Sequence, residues 1–418
     1  MADMANGFSG LNPIYPMIKM NVQKVLLVLT ILFLPACRNT TKEKSDEEFM
    51  ELAQNICENS IILDAHIDWP EWILEFPEDI SQKTIKGDFD LVRAKQGGLN
   101  SALSVVYVNT RFSVDEGHIM VDSLIKLVTD FVTTYPDKFA LARNPEDIKN
   151  NFDNNLFSLP LCLENGSPIG EDREYLKYLK DQGIVYITLN HNKSNQIGDS
   201  NYDINRIWNG LSPFGVKVIN EMNRLGIMID ISHSSDSTVF QTLLHSKAPI
   251  IASHSSCRYF VPDRERNISD TLIKAIADKG GVVMINFGSL FLDSICFKNW
   301  SYLKNWYDST KIGELTKEGI DFALAYGKTH KLYSDSKTVA DHIDHIVKIA
   351  GVDCVGIGSD YDGIGYSQPS DLKDVSSYPV IVFELLKRGY SEKDIQKILS
   401  GNFFRVWNDV IGIAHSLN

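Results

Sequence analysis

From residue 60 onward, short apolar runs alternate with longer stretches of helical periodicity. The runs are Ile61–Asp68, Ala102–Val108, Leu159–Glu164, Ile184–His191, Ile227–His233, Pro249–His254, Gly281–Phe287 and Cys354–Asp360. Each is rich in Ile, Val or Leu and too brief for a typical helix. Near-continuous apolarity, rather than alternation, marks strands buried on both faces of a parallel sheet. Between them, Ser212–Leu225 has the full grammar of a helix: Ser212 to cap it, Pro213 in the first turn, Gly226 just past the end. Similar patterns cover His118–Thr133, Glu171–Lys180, Ser237–Ser246, Ser269–Asp278 and Thr338–Ala350. Eight strands with intervening helices predict an α/β fold, a (β/α)₈ TIM-type barrel. Glu392–Trp407 reads as C-terminal helices packed on it. An open doubly wound sheet normally carries a glycine-rich phosphate turn after its first strand. This chain runs into His66-Ile67-Asp68-Trp69-Pro70 instead. Residues 192–210 and 288–336 break the alternation as inserted loops; the second, with Trp300, Tyr302 and Trp306, is expected to cover the barrel mouth or form a subunit contact.

Five of these runs close on residues that can bind a metal: His66 and Asp68, Glu164, His233, His254 and Asp360. An ionisable group ending a buried strand is costly unless it is paired or bound. In a barrel all such ends face one opening. His66 and Asp68 lie one residue apart on a strand and so share a face; alone, this HxD is a weak signal. His233 and His254, each in a Ser-His-Ser frame, sit on neighbouring strands about 4.8 Å apart, close enough to reach one metal. Glu164 has two oxygens with which to bridge metals, although a solvated loop glutamate is the plainer reading. Asp360 and Asp362 both suit a turn; only Asp360 directly ends its run. His191 fits a substrate contact or a core hydrogen bond as well as a ligand. Arg266 suits a substrate carboxylate if it lies near the site. The pair His342 and His345 is expected on a solvated helix face.

The 418 residues are 44% hydrophobic and 23% charged, an ordinary globular make-up. The net charge of −13 argues against a nucleic-acid partner. Upstream, Lys19 and Lys24 precede the apolar run VLLVLTILFL, which fits a signal-peptide core better than a membrane span. Leu34-Pro35-Ala36-Cys37 follows and resembles a bacterial lipoprotein signal, whose cleavage leaves Cys37 as a lipidated N-terminus; an ordinary signal peptide with a chance cysteine is the alternative. The expected organisation is a signal peptide and lipobox over 1–37, a flexible tether over 38–50, and a single barrel over 51–418. The product would be exported to the cell envelope and lipid-anchored to a bacterial membrane. The other five cysteines are odd in number and show no metal-binding spacing; Cys162 and Cys354 read as core, and one disulfide among the rest stays open.

The motifs DAHID (64–68), LENG (163–166), YITLNHN (186–192), GLSPFGVKVINEMNRLGIMIDISHSS (210–235), IASHSS (251–256), RNISD (266–270), GIGSDYDG (356–363), DVSSYP (374–379) and GNFFRVW (401–407) together resemble the membrane dipeptidase, or renal dipeptidase, family. The likeness runs in order through the chain after residue 55. It implies a barrel with two zinc ions per subunit: His66 and Asp68 on the first, His233 and His254 on the second, Glu164 bridging both. It implies substrate contacts from His191 and Arg266, and a proton-carrying Asp360 beside the bridging water. The expected activity is hydrolysis of dipeptides, including those with a C-terminal D-residue, by attack of a metal-bridging hydroxide, with His191 stabilising the oxyanion. The family resemblance also allows a homodimer. Ala65 and Trp69 depart from the usual pattern, and Trp69 is expected to reshape the pocket. Two other readings remain at this point: a barrel amidohydrolase for cyclic amides, lactones or N-acyl amino acids, and a lipid-anchored binding protein without catalysis.

Overall fold

The computed structural model describes residues 44–313 and 316–418. The leader, Cys37 and the first part of the tether lie outside the described residues. The tether expected over 38–50 ends early. Ser45 and Glu48 form a reciprocal capping box, so a helix already runs over Asp46–Asn59.

Ten strands occur among the described residues: β1 (Ile62–Ile67), β2 (Leu99–Tyr107), β3 (Phe139–Ala140), β4 (Phe157–Ser158), β5 (Leu161–Glu164), β6 (Ile184–Thr188), β7 (Met228–Asp230), β8 (Ile251–Ala252), β9 (Val282–Ile285) and β10 (Val355–Ile357). All pairings between them are parallel, in the path β1-β2-β5-β6-β7-β8-β9-β10. The path closes on itself just beyond the strand ends. Asp68 N–H donates to Tyr361 O at 2.9 Å, and Asp360 N–H to His66 O at 3.0 Å. The eight members of this ring are the eight apolar runs of the sequence. The short β3 and β4 extend from β2 and had no signal of their own.

Leu63, Ala65, Leu103, Val105, Cys162, Val185, Tyr186, Met228, Ile251, Val282 and Met284 form the inner core. The C-terminal helix Asn402–Leu417 adds Phe403, Trp407 and Val410 to that core. Asn402 ties this helix to the strand beginnings by donating to Val352 O and Val355 O. One end of the barrel is thereby sealed, which leaves the C-terminal strand ends open for chemistry. A second, larger cluster lies between the outer strand faces and the helices.

The helix Pro213–Leu225 has its Ser212 cap, first-turn proline and left-handed Gly226 as predicted. Two expectations are corrected, and the open disulfide question is answered. His342 is buried, accepting from Cys257 N–H and donating to Leu292 O, while His345 pairs with Asp270 at 2.8 Å. Trp69 is wholly buried against Phe89 and Phe131, with its indole N–H on Ser104, and does not line the site. The five described cysteines are buried and unpaired. Within 288–336, the helices Ser294–Thr310 and Lys317–Gly327 share a small core of Leu303, Tyr307 and Leu332. The 192–210 loop is pinned by Asp199, whose carboxylate accepts from the backbone of Ile207, Trp208 and Gly210.

Candidate metal centre

The strand ends bring His66, Asp68, Glu164, His233 and His254 into one buried cluster. Glu164 stands at its middle and is only 4% exposed, so it is no solvated loop residue. Its Oε1 lies 3.2 Å from His233 Nε2 and 3.4 Å from His254 Nε2, and those nitrogens are 3.0 Å apart. Its Oε2 lies 3.7 Å from His66 Nε2, which is 3.5 Å from Asp68 Oδ2. Atoms sharing a tetrahedral cation at bonds of about 2.1 Å are about 3.4 Å apart. His191 and Asp360 belong to the same neighbourhood. His191, Glu164 and His233 offer ligand atoms within 4.8 Å of one another, as do His66, Asp68 and Asp360.

Local geometry aims these groups. In β1 the pairing with β2 shifts register between Asp64 and Ile67. Leu63 and Ala65 point into the inner core, and the irregularity re-aims His66 toward the mouth. His233 adopts a left-handed backbone, φ 68°, as does Asp360 at φ 65°. Such conformations cost free energy in non-glycine residues and cluster where function over-determines them.

Partners behind the histidines fix their tautomers. Tyr186 donates its hydroxyl to Ala65 O at 2.8 Å, so it accepts from His66 Nδ1, also at 2.8 Å. Ser253 donates to Asp230 Oδ2 at 2.7 Å and therefore accepts from His254 Nδ1 at 2.8 Å. Asp230 is held in turn by Thr188 Oγ1 and by the backbone N–H groups of Ser232 and Ser253. Both histidines are left with an Nε2 lone pair facing Glu164, and His66 Nε2 has no hydrogen-bond partner. A buried ring nitrogen with a free lone pair and a fixed tautomer is what a metal ligand requires. The donor set fits a metal cofactor.

The charges agree. Burial, then Arg266 and His191, hold His233 well below the usual imidazole range. Burial, then His66 and Arg266, do the same for His254. Burial opposes a charge on His66, but Glu164, Asp360 and Asp230 together raise its pKa. A proton there answers the same negative field that a cation would. Burial, then Glu164 and Asp360, push Asp68 well up. Burial raises Asp360 as well. Buried carboxylates packed this closely need a positive charge among them.

Gly363 makes the packing possible: a Cβ there would come within 2.2 Å of Asp68 Oδ2 and 2.4 Å of Asp360 Oδ1. Asn286 donates to Asp360 Oδ2 at 2.7 Å and holds its other oxygen toward Asp68. Ser253 belongs to the Ser-His-Ser frame noted in the sequence, but Gly363, Asn286, Tyr186 and Asp230 did not stand out there. Their signal is three-dimensional, except that Asp230 is a charged residue inside a strand.

A cleft of about 370 Å³ opens over the cluster, within the usual range for small-molecule sites. Its walls include His191, Arg266, Glu71, Tyr107, Tyr202, Arg264 and Phe291. Arg266 is 2% exposed. It donates to Ser255 Oγ and His254 O, both at 2.8 Å, and its Nε–H is unpartnered. Burial lowers the pKa of His191, which keeps the ring neutral. Burial, then Glu164 and Glu75, raise Glu71 to about 7. Tyr202, from the 192–210 loop, and Leu290 and Phe291, from the 288–336 insertion, show that both insertions reach the mouth.

Comparison with known proteins bears on this centre. The chain is 30% identical over 375 residues to the mouse protein Dipeptidase 3, covering 88% of this chain and 68% of that one. It is 29% identical to Dipeptidase verJ of Clonostachys rogersoniana, over 84% of each chain. The crystal structure of the probable dipeptidase PvdM from Pseudomonas aeruginosa superposes with a TM-score of 0.76 at 26% identity, covering 88% of this chain and 99% of that one. The family model for membrane dipeptidases, peptidase family M19, matches residues 50–418. With its curled parallel barrel and its buried His/Glu ligand cluster, this chain belongs to the membrane dipeptidase family and is a metallo-dipeptidase.

Proposed function

We propose that the chain is a binuclear zinc dipeptidase, including activity on dipeptides that end in a D-residue. One observation carries the two-metal reading: each oxygen of Glu164 faces its own set of donors, Oε1 toward His233 and His254, Oε2 toward His66 and, beyond it, Asp68. In this reading His66 and Asp68 hold one ion, His233 and His254 the other, and Glu164 both. Bound there, zinc ions would supply Lewis acidity toward the peptide carbonyl and lower the pKa of water.

The side chains divide the remaining work. The unpartnered Nε–H of Arg266 points to a role in holding the substrate's C-terminal carboxylate, while its two NH₂ groups stay anchored on Ser255 and His254. Requiring a free carboxylate beside the scissile bond confines cleavage to the last peptide bond of a chain, which is the single bond of a dipeptide. His191, kept neutral by burial, donates an N–H to the oxygen on which negative charge develops. Asp360, with Oδ2 fixed by Asn286, takes a proton on Oδ1 and passes it to the leaving amine.

Assay of L-L and L-D dipeptides beside cyclic amides, lactones and N-acyl amino acids tests this assignment. We expect turnover of dipeptides of both kinds, and a loss of at least about a hundredfold in kcat/KM in Glu164→Gln. Turnover confined to the cyclic or N-acyl compounds, or wild-type rates in Glu164→Gln, would contradict it.

A further inference from the structure

Glu71 has no task in the mechanism above. It lies in the first turn of the helix Trp69–Glu75, which starts immediately after Asp68, and it lines the cleft. Among the described residues its half-buried carboxylate has no hydrogen bond and no ion pair. The charges acting on it, Glu164 and Glu75, are both negative. The cleft is therefore polarised. Arg266 acts on His191, His233, His254 and Asp360. Glu71 acts on Asp68 and Tyr107. If the substrate's C-terminal carboxylate lies at Arg266 and its peptide bond over Glu164, the N-terminal residue extends toward Glu71.

We propose that Glu71 is a specificity-determining residue that selects dipeptides whose N-terminal residue carries a cationic side chain, such as lysine, ornithine or arginine. The proposal rests on the dipeptidase reading. The substrate's α-ammonium is two bonds from the scissile carbonyl, close enough to meet the carboxylates of the central cluster. A cation on a side chain reaches past that cluster, and Glu71 is the carboxylate of the cleft that the cluster leaves over. Tyr107 and Ile364 also line the cleft and offer apolar surface to the intervening methylenes. An unpaired, partly desolvated carboxylate gains most from a cation that brings its own charge, because the cost of its burial is already met.

The test compares lysyl-alanine with norleucyl-alanine, which differ only in the terminal ammonium. We expect the wild-type enzyme to favour lysyl-alanine by about tenfold in kcat/KM, as for one charge-assisted hydrogen bond. The ratio should fall to near unity in Glu71→Gln and invert in Glu71→Lys. Equal kcat/KM for the two substrates in the wild type, or a ratio unchanged in Glu71→Gln, would overturn the proposal. So would a Glu71→Gln variant that loses both activities equally, because that places Glu71 at the α-ammonium or in the fold. Failure to cleave any dipeptide would sink the dipeptidase reading itself, an outcome distinct from cleavage without preference.

Discussion

At the scale of single residues, the centre depends on groups that touch no substrate. Tyr186 reaches His66 from β6 and sets which ring nitrogen carries the proton. Tyr186→Phe removes that acceptor and frees His66 to take the wrong tautomer. We expect metal affinity to fall by about 10–100-fold, the usual effect of losing such a partner, with the fold intact. Competition with a chelator measures it, and unchanged affinity would refute the role. The expected ligands stood out in the sequence because they lie at the ends of buried apolar runs, where an ionisable side chain is conspicuous. Tyr186 could not, since an aromatic residue within a strand reads as core. Gly363 was hidden for the opposite reason. Its importance is the space it leaves beside Asp68 and Asp360, which depends on how the barrel closes.

At the scale of elements, the strands were easier to read than the helix faces. Continuous apolarity identified all eight barrel strands, while the two-residue β3 and β4 are too short to carry any period. The helix Ser336–Ala350 shows what periodicity missed. Val339, Ile343 and Ile346 form its buried stripe. His342 lies three residues after Val339 and four before Ile346, on that stripe rather than opposite it. Burial, chiefly, lowers its pKa from 6.5 to about 4. The unfolded chain therefore binds a proton that the folded protein refuses between these values. The contribution of His342 is complete above about pH 6.5 and is lost as pH falls toward 4, about 3 kcal/mol in all. Denaturant unfolding between pH 7 and 4 should show a shallower decline in His342→Gln than in the wild type. Parallel pH profiles would show that His342 titrates normally.

For the molecule as a whole, the fold concentrates negative charge at one end of a sealed barrel. The C-terminal helix fills the far end. The closure between β1 and the segment after β10 sets Asp360 beside His66 and Asp68. Sequence alone supplied the barrel and the expected ligands because hydrophobic runs and strand ends are local features. It did not supply the other walls of the cleft, to which Glu71, Tyr202, Arg264 and Phe291 come from four separate segments. Nor did it show that His191 and Asp360 come within 4.8 Å of members of the expected ligand set. Three carboxylates and four histidines packed together are unstable company without cations, and this ties activity to metal loading. The most direct measurement is a titration of metal-free protein with zinc while dipeptide hydrolysis is followed. Activity should be absent at the start, rise with added zinc and saturate at two ions per chain. Full hydrolysis by the metal-free protein, or saturation at one ion, would contradict the binuclear centre built around Glu164.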